Sequence, residues 1–87
     1  MEVRIEPHTL ERANERGASK DEINDVVHNG SVMMAKNNRL CKYKVFPYDA
    51  ERNGKHYSQK RIEVIYIIEN ETIITITVYV FYGKWEN

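Results

Sequence analysis

The feature that most constrains this chain is its C-terminal third. Residues 62–82 hold 14 Ile, Val, Tyr or Phe side chains in 21 positions, interrupted at Asn70-Glu71. Such density of β-branched and aromatic residues around a tight polar break predicts two central strands, about 59–69 and 72–82, joined as a hairpin. Both runs are apolar at odd and even positions, so a slip of one residue would exchange their faces, and periodicity alone leaves the register open. Upstream, 39–48 alternates Cys41, Tyr43 and Val45 with Lys42, Lys44 and Phe46. That pattern, after a turn at Asn37-Asn38, predicts a strand paired with a shorter one at 31–36. The polar stretch 49–58, with Asn53-Gly54 inside it, reads as a loop or a hairpin tip.

The first thirty residues follow a helical period. Pro7 suits a first helical turn, Leu10 and Ala13 form a short apolar stripe, and Gly17 suits a left-handed exit, predicting a helix over about 8–16. Ser19 with Glu22 three residues later has the form of a capping box, and Ile23, Val26 and Val27 follow as a stripe before Gly30, predicting a helix over about 20–29. Helices this short hold only by packing on something else. With 87 residues the chain has room for a single domain, 1–87. The expected architecture is α+β, with two N-terminal helices packed on a four-stranded, mainly antiparallel sheet whose strands follow chain order.

Thirteen basic and thirteen acidic side chains cancel, yet they are segregated. Residues 1–30 carry a net −3, residues 31–61 carry eight basic against two acidic side chains, a net +6, and residues 62–87 carry −3. A basic block in a neutral chain can form one positive surface. An apolar run as long as any in the chain, Val78 to Tyr82, falls far short of a membrane span. The N-terminus lacks the pattern of a signal peptide, and the single Cys41 can form neither an internal disulfide nor a cysteine-based metal site. The expected setting is cytoplasmic, with no membrane, metal or cofactor.

Phosphate-loop, zinc-protease, CxxC and nucleophile-elbow signatures are absent. Three constellations carry chemistry, each beside a plainer reading. His8, Arg12 and Arg16 lie at i, i+4 and i+8 on one helix face, where guanidiniums can hold a phosphate and an imidazole can move a proton; the plainer reading is a solvated, ion-paired face. Arg39, Lys42, Tyr43 and Lys44, with Phe46 and Tyr48, mix cations with aromatics as a surface for single-stranded RNA would; the plainer reading has Cys41, Tyr43 and Val45 in the core and the lysines guarding an edge. Thr75, Thr77 and Tyr79 share one strand face, either as hydroxyls able to position a phosphate or as ordinary strand formers.

The segment from His8-Thr9-Leu10-Glu11-Arg12 to Glu15-Arg16-Gly17-Ala18-Ser19 resembles the His-Ala-x-x-Arg-x-x-x-Arg-Gly-Ile-Ser opening of a family of small prokaryotic domains of unknown function, distantly related to RelE-like and BrnT-like toxins. Residues 61–66, 74–79 and the ending Tyr82-Gly83-Lys84-Trp85-Glu86 resemble that family's strand pair and closing segment, while Thr9 and Ala18 depart from its usual Ala and Ile. The resemblance implies a RelE- or barnase-like fold and metal-independent ribonuclease chemistry, with His8 as acid or base, Arg12 and Arg16 on the phosphate, Thr77 and Tyr79 as further side chains suited to the site, and an antitoxin as partner. A non-catalytic nucleic-acid- or protein-binding domain of the same fold is the alternative. The terminal aromatics, Tyr82 and Trp85 above all, suggest an interface, with a homodimer or an antitoxin on it. A terminal Trp85 folded over the helices as a lid is the competing expectation.

Overall fold

Two-residue turns with left-handed backbone organise the sheet. In the computed structural model, which describes residues 1–85, Asn53 and Gly54 have φ of 54° and 80°, and Asn70 and Glu71 have φ of 49° and 63°. Each pair reverses the chain within one step, as turns matched to the right-handed twist of a hairpin do. They join β3 (Leu40–Arg52) to β4 (Lys55–Glu69) and β4 to β5 (Thr72–Gly83). Of the two expectations for 49–58 the hairpin tip holds, most of the segment being strand with only Asn53-Gly54 turning. A bulge between Pro47 and Ala50 bends β3 on the way there.

Helices α1 (Pro7–Arg16) and α2 (Lys20–Asn29) precede β2 (Ser31–Met33), which pairs antiparallel with β3. A strand absent from the sequence expectation, β1 (Glu2–Arg4), lies parallel to β5 on its other side. The sheet thus has five strands in the order β1-β5-β4-β3-β2, and the mainly antiparallel four expected are its meander. Three residues with only Val3 half-buried carry too little periodicity to announce β1.

Both helices pack on one face. Ala13, Ala18, Ile23, Val26 and Val27 meet Ile62, Val64, Tyr66, Ile73 and Val78 in the core. The capping box of α2 is present, with Ser19 Oγ accepting from the Glu22 N–H at 3.1 Å and Glu22 accepting from the Ser19 N–H at 2.9 Å. On α1 the stripe turns out to be Thr9 and Ala13 and not Leu10 with Ala13. Thr9 is fully buried because its hydroxyl donates to the Ile76 carbonyl at 3.3 Å, where β5 bulges. That bulge also separates the expected trio: Thr75 points to the helices, where its Oγ1 accepts from the Glu6 N–H at 3.1 Å, while Thr77 and Tyr79 point to the opposite face.

Candidate functional site

The α1 candidates part company at Arg16. Its guanidinium donates to the Val78 carbonyl at 2.6 Å and lies 5.4 Å from the centre of the Tyr79 ring, so it closes the β5 edge where β1 has ended. Arg12 and His8 stand exposed one and two turns away, and neither side chain makes a hydrogen bond or ion pair among the described residues. Arg16 and Tyr79 are thus brought together, without His8, Arg12 or Thr77 in contact with them.

The basic strand is inverted relative to the plainer expectation. Because Lys42 pairs with Val64 and Lys44 with Ile62, both lysines lie on the helix side. Lys42 Nζ donates to the Val27 carbonyl at 3.0 Å in the last turn of α2, and Lys44 Nζ meets Asp25 Oδ2 at 2.7 Å. Cations near a helix C-terminus answer its unpaired carbonyls and its dipole. Cys41, Tyr43 and Val45 face the other way, so Arg39, Lys42, Tyr43 and Lys44 do not form one surface. The alternation was legible, but which of its two faces met the helices was not.

The far face of the sheet carries three rows across β3, β4 and β5: Cys41, Ile65, Thr77; Tyr43, Glu63, Tyr79; Val45, Arg61, Phe81. Arg61 stacks on Tyr43 with its Cζ 3.9 Å from the ring centre and donates to Glu63 at 3.0 Å. Trp85 folds back on this side, since a Cβ at Gly83 would lie 3.4 Å from its ring, and its N–H donates to Gln59 Oε1 at 2.6 Å. It is no lid on the helices. Tyr82 is on the helix side, its hydroxyl donating to the Arg16 carbonyl at 2.6 Å, with burial holding its phenol above the usual range. Tyr82 and Trp85 therefore do not share one flat interface.

Sequence reasoning missed a cleft at the end of the long hairpin. Lys55, His56, Tyr57, Ser58, Tyr82, Gly83 and Lys84 line a cavity of about 320 Å³. His56 Nε2 meets Asp49 Oδ1 at 2.9 Å, and Asp49 is reached because the β3 bulge puts its backbone in the left-handed region, φ 47°. Tyr48 and Tyr57 contact the Tyr82 ring at 5.0 and 5.7 Å between centres, and the Arg52 guanidinium lies 4.8 Å above it. The signal was the +6 charge of 31–61, whose later members Arg52 and Lys55 sit here; leaving 49–58 open between a loop and a hairpin tip hid their convergence with Lys84. Among the described residues no group of three or more His, Cys, Asp or Glu side chains is placed to hold a metal ion, and no helix is long and apolar enough to cross a membrane.

Comparison with known proteins returns no matching family model, no similar curated protein and no similar solved structure.

Proposed function

We propose that this chain binds single-stranded RNA in the cleft at the end of the β3–β4 hairpin. The observation that carries the reading is the cleft lining, in which Lys55 and Lys84 supply charge for phosphates and Tyr57 and Tyr82 supply ring surface for unpaired bases, with no acidic residue among the lining groups. Arg52 adds a third cation beside Tyr82. The opening motif and the strand pair resemble those of a family of small prokaryotic domains of unknown function, whose distant relation to RelE-like toxins would point in the same direction. Anisotropy of a labelled oligouridine at low salt tests it. Lys55→Glu and Lys84→Glu each weaken binding several-fold and flatten its salt dependence. Absence of binding by the wild type at low salt overturns the reading.

A second reading, metal-independent cleavage of that RNA, is favoured by the His56–Asp49 pair, since a carboxylate on one ring nitrogen orients the imidazole and leaves the other free to take or give a proton. Exposed His8 and Arg12 are the competing centre. Incubation with labelled RNA and excess chelator separates the cases. Cleavage lost in His56→Ala selects the cleft, and cleavage lost in His8→Ala and Arg12→Ala selects the helix face. RNA retained uncut by the wild type leaves the binding function alone.

A further inference from the structure

The face of the sheet turned away from the helices is unusual for one open to water. An antiparallel sheet with one solvated side alternates apolar and polar residues, yet here Cys41, Tyr43, Val45, Ile65, Ile67, Ile74, Tyr79 and Phe81 all point outward. Trp85 folds over it at one end, and at the other Met33, Met34 and Arg39 close a cavity of about 250 Å³ with Cys41, Glu63 and Ile65, so that Cys41 is buried while the middle of the face stays open. Tyr79 and Phe81 remain 41% and 46% exposed, with their rings stacked at 6.4 Å.

At the middle of this face stand one cation and one anion. Arg61 and Glu63 are two residues apart on β4, the central strand, and bond to each other at 3.0 Å. Arg61 and Glu63 neutralise each other, and the further cations Lys36 and Arg39 stand at the edge of the face beside Glu63, so its middle carries no net charge, which sets it apart from the hairpin-end cleft. We propose that a second copy of this chain covers it, in a face-to-face dimer that sets Arg61 of each chain against the partner's Glu63. The row Val45, Arg61, Phe81 lies next to the row Tyr43, Glu63, Tyr79. A two-fold axis running between the sheets, across the strands and between these rows, lays each row on the other. Plus then meets minus twice, and Tyr and Phe rings meet apolar side chains.

The size suits this occupant. Strands about 4.8 Å apart and same-face residues about 6.8 Å apart make the three rows, with Ile67 and Ile74 beyond them, roughly 350 Å² in projection, before side-chain relief is counted. A standard interface takes about 800 Å² of accessible surface from each partner, so the patch fits a small dimer contact. Trp85 lies at its rim, and Tyr82, on the other side of the sheet, takes no part.

Sedimentation of the intact chain from about 1 to 200 µM tests the dimer, with circular dichroism as the check that each variant folds. The wild type is expected to dimerise within this range. Arg61→Glu alone and Glu63→Arg alone are expected to be monomers, because each sets like charges against like. An equimolar mixture of the two is expected to regain the dimer: the first variant presents two carboxylates and the second two guanidiniums, so every cross-chain pair is again opposite. Within each variant chain the pair stays repulsive, so recovery in the mixture can come only from contact between chains. A wild-type monomer throughout the range overturns the proposal. So does a mixture that stays monomeric, or a dimer that both single variants retain.

Discussion

Lys60 ties the end of one helix to the start of the next. Its ammonium donates to the Gly17 carbonyl at 2.8 Å, just past α1, and meets the Glu22 carboxylate at 3.0 Å, in the first turn of α2. The residue is buried, 8% exposed, and Glu22 is already engaged in the capping box. The same helix end is held twice more: Arg52 donates to the Glu15 carbonyl at 3.0 Å and Tyr82 to the Arg16 carbonyl at 2.6 Å. Three consecutive carbonyls that a helix terminus leaves unpaired are thus taken by three side chains from β3, β4 and β5. The sheet positions the α1–α2 corner through these bonds as much as through the apolar core.

Lys60→Met keeps the stem's packing and removes the charge. It leaves the Gly17 carbonyl and the Glu22 carboxylate without that partner, a loss of about 2–3 kcal/mol for a charge-assisted, largely buried contact. Glu22→Gln preserves the capping geometry and costs less. Urea denaturation of both variants against wild type checks the order.

How much of this was legible beforehand differs by element. Pro7, Gly17, Ser19 with Glu22, and Gly30 delimit both helices within one residue, because caps are local chemistry. The strand expected over 72–82 was equally plain, whereas the one expected over 59–69 begins four residues earlier, at Lys55. What stayed hidden depends on the third dimension. Lys60 reads as one more cation of a basic block, yet it is core, and Lys42 and Lys44 read as edge guards, yet they cap and pair with α2. A long cationic side chain can bury its stem and still deliver its charge to a distant carbonyl, which no periodicity reports. The β5 bulge at Ile76 breaks the alternation on which the Thr75, Thr77, Tyr79 face was read, and the bulge in β3 brings Asp49 to His56.

Gly17 has φ +94°, and a Cβ there would collide with the Tyr82 hydroxyl that bonds the Arg16 carbonyl. Gly17→Ala therefore meets both left-handed strain, about 1 kcal/mol, and a forced shift of Tyr82. Tyr82→Phe removes only the hydroxyl, and its expected cost is about 1–1.5 kcal/mol. In the double variant the collision is gone, so Gly17→Ala should be less damaging in the Tyr82→Phe background. A double-mutant cycle by thermal or urea unfolding reads this coupling directly.

Asp25 contributes to the acid limb of stability. Hydrogen bonds from Lys44 and then Asn29 hold its carboxyl below the usual range. A carboxylate with a lowered folded-state pKa contributes stability that is present above its unfolded value, about 3.9, and is lost as pH falls through the folded value. Wild type should therefore lose stability relative to Asp25→Asn below about pH 4, with the two curves converging. Melting temperature against pH for the pair checks the sign.

Cys41 contributes, with Tyr66 and Tyr82, to the alkaline limb and gives a chemical test of the far face. Burial first, and the nearby Glu63 carboxylate second, push its thiol above the ordinary range, while Arg61 partly opposes them. The thiol is 3% exposed although no helix covers its side of the sheet, and it lines a cavity of about 250 Å³ with Met33, Met34 and Arg39. A raised folded-state pKa means that folding favours the protonated form. The associated stability is complete below the unfolded thiol value, about 8.5, and is lost as pH rises through the higher folded value. Since the thiolate is the nucleophile, a disulfide reagent at neutral pH should label Cys41 far more slowly in the folded chain than in urea. Glu63→Gln removes one of the two influences that raise the pKa and should quicken labelling, whereas Cys41→Ser should flatten this part of the alkaline stability curve. Labelling at the unfolded rate under native conditions would show that the thiol is neither buried nor raised.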